Sequence, residues 1–268
     1  MRAVTCGIGL VSVLAFAAVP TAAQGTDSIA AWRLSLGAQV GVPNGWVQVR
    51  ENDIPGTRLR FGPDLRVRSA RAYALGVARR LGARTALDIT LESLGLDGAV
   101  TLPRDVEFNG ATLQQGTVAR TATHFPHFLV LDAVVRRRVA SFGDRGSVSL
   151  GGGMTFTALS FVLHGTLTAG SARHETSEDF LTQELPVPVV AASFVAPLGR
   201  RAGLFADLAG GYLPRVNSLR REGGEVTLTQ TNARFSTGIQ YDVGASMQVA
   251  AGYAFRYFAQ DEVSREDG

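Results

Sequence analysis

Apolar and polar residues alternate with a period of two along much of this chain. Across 247–258 the odd positions are Met247, Val249, Ala251, Tyr253, Phe255 and Tyr257, and the even ones are Gln248, Ala250, Gly252, Ala254 and Arg256. Successive side chains of a strand point to opposite faces, so this segment is greasy on one face and small or charged on the other, where a helix would repeat every 3.6 residues. The same rhythm sets Trp32, Leu34, Leu36, Ala38, Val40 and Val42 against Arg33, Ser35, Gly37, Gln39 and Gly41. It sets Leu87, Ile89 and Leu91 against Asp88, Thr90 and Glu92, and Phe235, Ile239 and Tyr241 against Arg234, Ser236, Gly238, Gln240 and Asp242. In 147–157 it sets Val148, Leu150, Met154 and Phe156 against Ser149, Gly151, Gly153 and Thr155. Less regular strands are expected over 57–62, 70–81, 128–139, 185–195 and 204–213. At Ala158-Leu159 the apolar parity switches to Leu159, Phe161 and Leu163, which predicts a β-bulge.

The connections between these strands are unequal. Short turns at Leu81-Gly82-Ala83, Phe142-Gly143-Asp144-Arg145-Gly146, Leu198-Gly199-Arg200 and Val243-Gly244-Ala245 alternate with long polar segments at 95–116, 165–184, 214–225 and from Gln260 onward. Short turns on one side and long loops on the other is the pattern of a transmembrane barrel, with the short ones periplasmic. A Pro43-Asn44-Gly45 turn followed by a short strand over 46–50 brings the count to about eleven. Because 264–268 reads as an outside loop, one last strand is expected to be missing or displaced. The expectation is therefore an all-β, antiparallel transmembrane β-barrel of about 10–12 strands, with the last strand possibly missing.

The N-terminus carries Arg2, an apolar stretch over 8–19 and Thr21-Ala22-Ala23, the three parts of a secretory signal peptide. The expected organisation is a signal peptide at 1–23 and a barrel domain at 24–268, with Gln24 as the first mature residue. Cys6 is the sole cysteine and lies within 1–23, so the mature chain is expected to have no thiol or disulfide. Charged residues make up 18% of the chain and mean hydropathy is +0.12, values that suit a barrel and equally a soluble β-sandwich, which loop asymmetry and outward aromatics disfavour. The net charge of +3 rests on arginine alone, since there is no lysine; the arginines are spread among acids, and no nucleic-acid partner is expected.

Signal peptide, alternating strands and asymmetric loops together resemble bacterial outer-membrane β-barrels of Gram-negative cells, of the porin-like or OmpA-like small class, over 32–258. The resemblance implies residence in the outer membrane, contact with its lipid and lipopolysaccharide, and insertion by the barrel-assembly machinery. It implies no cofactor. The segments 104–110 and 178–186 match no known catalytic motif.

Four histidines invite a search for chemistry. His124, His127 and His164 lack the His-x-Ser arrangement of barrel deacylases, and His174-Glu175-Thr176-Ser177, with Asp179 nearby, reads as a solvated loop. His124 and His127 flank Pro126 and suit interfacial anchoring with Phe125 and Phe128 better than metal binding. The run Gly151-Gly152-Gly153 lacks the lysine and helix of a phosphate loop and reads as close packing within a strand. No catalytic, cofactor-binding or metal site is expected. The inward charges carry more: on parity Arg33, Arg58, Arg60, Arg234, Arg256, Asp88, Glu92 and Asp242 face the lumen, joined by Asp132 and Asp207. They either pack into a salt-bridged lumen or set selectivity in a narrow pore. The leading expectation is a non-enzymatic barrel with a structural role or a narrow passage for small solutes. The alternative is a barrel enzyme acting on lipid or lipopolysaccharide.

Overall fold

The computed structural model describes residues 2–20, 32–51, 56–122, 128–143, 145–169, 172–181, 185–219, 225–243 and 247–265. In chain order its strands are β1 (Arg2–Pro20), β2 (Trp32–Glu51), β3 (Leu59–Arg60), β4 (Ala70–Arg80), β5 (Thr85–Leu96), β6 (Gly98–Thr101), β7 (Val106–Phe108) and β8 (Ala111–Leu113). They continue as β9 (Val118–Ala122), β10 (Phe128–Phe142), β11 (Gly146–Ala169), β12 (Ala172–Leu181), β13 (Val187–Pro197), β14 (Ala202–Leu219), β15 (Glu225–Val243) and β16 (Met247–Arg265).

Ten of these strands close a ring in the order β1, β2, β4, β5, β10, β11, β13, β14, β15, β16, every neighbouring pair antiparallel, with β16 returning to β1 and the β10–β11 ladder joining the two arms. Closure leaves no ring strand with an unpaired edge, the condition for crossing a membrane with strands. The protein is an antiparallel β-barrel. The tight turns lie together at one end, where the Leu81 amide donates to the Thr85 carbonyl at 2.9 Å and the Leu198 amide to the Ala202 carbonyl at 2.9 Å.

Three sequence expectations change. β2 runs unbroken through Pro43-Asn44-Gly45, with Pro43 opposite Leu10 of β1, so no separate strand begins at Trp46. The expected loops 165–184 and 214–225 are in large part strand: β11 and β12 form a hairpin, and β14 and β15 pair as far as Leu219 and Glu225. The predicted bulge at Ala158-Leu159 does not occur. β11 stays in register with β10 from Arg138 to Phe128, and its odd positions point inward throughout, from Thr155 and Thr157 to Leu159, Phe161 and Leu163. What switches there is the chemistry of the interior.

That interior switch has a cause in the long connections. Part of the chain over 56–69 and 97–122 extends the wall, since β9 pairs with β11, β6 with β9 and β3 with β2; the rest of 56–69 and 102–117, with the separate β7–β8 hairpin, folds into the end of the ring opposite the tight turns and fills it. Inward residues of the barrel wall, among them Val47, Val49, Leu94, Leu96, Leu159, Phe161 and Phe258, pack there against Leu59, Phe61, Leu65, Val106, Phe108 and Leu113 of the connections. Phe161 sits between Phe61 and Phe108, with ring centroids 6.1 and 6.0 Å away. The Thr57 amide donates to the Glu107 carbonyl at 2.7 Å and the Glu107 amide to Thr57 Oγ1 at 2.9 Å, which ties the two connections together. β7 and β8 turn through Asn109 (φ 51°) and Gly110 (φ 82°), the paired left-handed geometry that a two-residue hairpin requires and Asn-Gly favours.

Residues 2–20 form β1 between β2 and β16. Their sequence is apolar on both parities, Ile8, Leu10, Leu14 and Phe16 as much as Val11 and Val13, unlike the alternating strands around them. A continuous apolar run has no preferred face and can complete an open edge, the same property that makes it read as the core of a signal peptide.

Candidate functional site in the lumen

The lumen below the plug is built from inward-facing charges separated by small residues. On β5, Asp88 and Glu92 are four residues apart and so share the inner face, roughly 13 Å from each other along the strand. On β10, Asp132 and Arg136 stand in the same relation. Nearer the plug, Arg256 Nη2 of β16 reaches Glu92 Oε2 at 2.5 Å, and Arg234 of β15 is hydrogen-bonded to Asp132. Further down, Arg136 lies 3.0 Å from Asp88 and 2.7 Å from Asp207 of β14, and Arg33 of β2 approaches Asp88 at 4.0 Å. Four arginines thus meet four carboxylates across the lumen. At the tight-turn end Arg145 pairs with Asp242 at 2.8 Å and donates to the Gly199 carbonyl, while Gln248 Nε2 donates to Asp242 at 2.9 Å.

Small residues make room for these long side chains. A Cβ on Gly153 would collide with the Ala133 carbonyl, and one on Gly238 or Gly252, which face each other across β15 and β16, would strike the neighbouring backbone. Within the triple glycine, Gly151 and Gly153 therefore serve close strand packing, while Gly152 faces outward, where a Cβ would meet only an ordinary contact.

Eight of the ten lumen candidates read from parity, namely Arg33, Asp88, Glu92, Asp132, Asp207, Arg234, Asp242 and Arg256, point into the barrel and meet an opposite charge. Arg58 and Arg60 do not. They lie in the connection at the outer mouth, where Leu59 and Phe61 take the inward positions. The Arg58 guanidinium stacks 3.7 Å over the Trp46 ring, and Arg60 pairs with Asp64 at 3.1 Å. Burial pushes the Asp64 carboxyl up, but hydrogen bonds from the Arg60 side chain and amide, with the charge of Arg60, outweigh it and hold the carboxyl below its ordinary value. Arg136 and Arg145 were missed. Arg136 was legible, since it lies four residues beyond Asp132 on one strand; Arg145 sits in a turn, where parity says nothing.

Between the plug and the charged layer lies a cavity of about 30 Å³, room for roughly two water molecules. Phe128, Val130, Phe258 and Val189 supply apolar walls, and Asp132, Thr157, Asn232, Arg234 and Arg256 polar ones. Thr157 Oγ1 and Asn232 Nδ2 have no hydrogen-bond partner, nor do both ends of the Gln230 amide and Gln260 Oε1, one step nearer the mouth on β15 and β16.

Among the described residues no group of three or more His, Cys, Asp or Glu side chains is placed to hold a metal. His164 is exposed on β11, and His174 lies on β12 opposite Leu167. His124 and His127 lie outside the described residues.

The outer surface is the reverse of the lumen. Leu36, Tyr73, Ile89, Leu131, Met154, Val190, Leu208, Ile239 and Tyr253, one from each of nine ring strands, are exposed large hydrophobics. Of the positions expected to face lipid, Leu36, Ile89, Ile239 and Phe255 are exposed and Leu87 is half-buried. Aromatics rim this belt: Trp32, Phe142, Phe194 and Tyr241 toward the tight turns, and Tyr73, Tyr212 and Tyr257 toward the plug, with Tyr253 midway between. From Val249, level with Tyr241, to Tyr257 is eight residues of strand, roughly 26 Å. With strands tilted about 40° that length is roughly 20 Å of height; an apolar belt on this scale between two aromatic girdles is covered by a bilayer, and the barrel resides in the outer membrane.

No family model matches the chain, and no curated protein matches it. Solved structures that it resembles include the outer membrane protease OmpT from Escherichia coli, at 11% identity, TM-score 0.37, covering 98% of this chain and 96% of that one. They also include the Pseudomonas putida toluene transporter TodX, at 10% identity, TM-score 0.30, covering 97% and 89%, and a Pseudomonas aeruginosa FadL homologue, at 9%, 0.22, 97% and 89%. Likenesses this distant bear on neither substrate nor chemistry.

Proposed function

We propose that this outer-membrane β-barrel is non-enzymatic and serves as a narrow passage for small solutes, closed in the state described. The observation that supports the reading is the two-part occlusion: a charge-balanced constriction of side chains from the barrel wall, and a separate apolar plug made from the connections. A lumen filled for stability alone is best filled with apolar side chains or with polar ones that are all partnered. Here unpartnered polar groups border a cavity between the two closures. The β7–β8 hairpin at the centre of the plug is its own two-stranded sheet, held by apolar contact and a few hydrogen bonds, and can shift without breaking the barrel ladder. Residues 1–23 are proposed as a leader removed on export; the ring of the mature barrel, built from residue 24 onward, is then closed by β2 and β16, the two neighbours of β1, pairing with each other.

Single-channel recording in planar bilayers tests the reading. Phe161→Ala, which removes the ring between Phe61 and Phe108, is expected to raise the open probability, and Arg256→Ala to raise the conductance of each opening. If both variants fold and neither conducts above wild type, the role is structural. Release of fatty acid from phospholipid or lipid A by the purified barrel, abolished by His174→Ala, would replace the reading with the enzymatic one.

A further inference from the structure

The unpartnered polar groups beside the cavity form one continuous patch. Asn232 and Gln230 are consecutive inward positions of β15, and Gln260 faces Gln230 across the ladder. Thr157 approaches from β11 on the other side of the lumen, so the patch spans the cavity. Thr157 is 2% exposed, Gln230 1% and Gln260 2%, yet Thr157 Oγ1, both Gln230 amide atoms and Gln260 Oε1 have no partner. Buried polar atoms are paired in more than nine cases in ten, so the two orphans that line the void, Thr157 Oγ1 and Asn232 Nδ2, mark a place where a guest supplies the bonds, and the glutamine orphans continue the patch toward the mouth.

Resting on the reading of the lumen as a passage, we propose that this cavity is the binding site for the solute that passes, a small neutral molecule bearing a carboxamide or similar donor-acceptor pair on a short apolar body. Charge selects neutrality. Among the described residues the charges lining the cavity are Asp132, Arg234 and Arg256, and each is already engaged, Arg234 with Asp132 and Arg256 with Glu92 just outside the cavity, so a charged guest would be desolvated with no free countercharge. The hydrogen-bond inventory selects the amide: of the unpartnered atoms on residues lining the cavity, Asn232 Nδ2 donates, to a guest carbonyl, and Thr157 Oγ1 can accept from a guest N–H. The tilted pair Phe128 and Phe258, centroids 6.1 Å apart, walls the apolar end. The cavity volume limits the guest to a few heavy atoms.

The probe is acetamide, with acetate and methylammonium as charged molecules of like size. Saturation-transfer NMR on the folded barrel in micelles is expected to show saturable acetamide binding and none for either ion. Thr157→Val and Asn232→Leu, which keep the shapes of the side chains, should each weaken acetamide about five- to tenfold, the loss of one hydrogen bond. No saturable acetamide signal, or binding unchanged in both variants, overturns the site; equal binding of the ions overturns its neutrality. Acetamide flux into proteoliposomes separates the two readings. Binding without flux keeps the site and rejects the passage, whereas flux that Thr157→Val and Asn232→Leu leave unchanged rejects the site and keeps the passage.

Discussion

Truncating Arg256 to methionine perturbs the most enclosed ion pair in the lumen, and its cost follows from the geometry. Glu92 is 5% exposed at its side chain and Arg256 16%, so both charges have lost most of their water. Losing one partner of such a pair costs about 3–5 kcal/mol, because the other charge stays buried and uncompensated. The contact is a single N–H···O bond with Glu92 Oε1 left unpartnered, which places the expected cost near the lower end, about 3 kcal/mol. That corresponds to a factor of roughly 10² in the folding equilibrium. Glu92→Leu should cost a similar amount, and Arg256→Met with Glu92→Leu far less than the sum, since an apolar pair of similar volume leaves no buried charge behind. Arg33→Met is the control: at 4.0 Å from Asp88 and with Arg33 60% exposed, that pair is worth no more than about 1 kcal/mol. Urea-dependent folding into lipid vesicles, followed by the fluorescence of Trp32 and Trp46, measures all four variants. Strict additivity of Arg256→Met and Glu92→Leu, or a cost for Arg33→Met equal to that of Arg256→Met, would refute the account of the lumen as a set of compensated buried charges.

Ile239→Arg and Leu36→Arg should each cost roughly 2–4 kcal/mol in the same vesicle assay, while Ser236→Arg, on the inner face opposite Asp207, should cost much less; equal costs on both faces would remove the lipid-facing belt. The Asp64 carboxyl titrates lower folded than unfolded, so the stability it contributes is present above the unfolded value near 3.8 and is lost as pH falls through the folded one. Protease sensitivity of the outer connection should therefore rise on acidification in wild type and be already raised, and flat with pH, in Asp64→Asn. N-terminal sequencing of the outer-membrane form should give Gln24. Once residues 1–23 are gone, β2 and β16, which both pair antiparallel to β1, face each other in parallel, with Gly37 and Ala250 level across the seam through Phe16. Cysteines at those two positions should then cross-link in the mature barrel, and failure to do so would show that another strand occupies the slot.

Period two determined the barrel by itself, because a strand with lipid on one side and other side chains on the other has no choice of which residues face which. Leu36, Ile89, Ile239 and Phe255 declared the outer face, and Asp88, Glu92, Asp132, Asp207, Arg234 and Arg256 the inner one, on alternation alone. Tertiary structure decided which charge met which. Arg256 finds Glu92 although 164 residues separate them in sequence, a pairing set by ring closure and strand stagger, neither of which leaves a local trace. It also decided the sense of the parity switch at Leu159. Read along one strand, apolar residues moving to the other parity mean a bulge; inside a barrel they mean that the lumen has turned apolar at that height. Val47, Val49, Leu94, Leu96 and Phe258 make the same switch on neighbouring strands, and only their convergence on Phe61 and Phe108 reveals the plug. Arg58 and Arg60 were misplaced for the same reason: Arg60 is laddered to Trp46, but at that height the lumen is apolar, so Leu59 and Phe61 take the inward parity and the arginines the outer one.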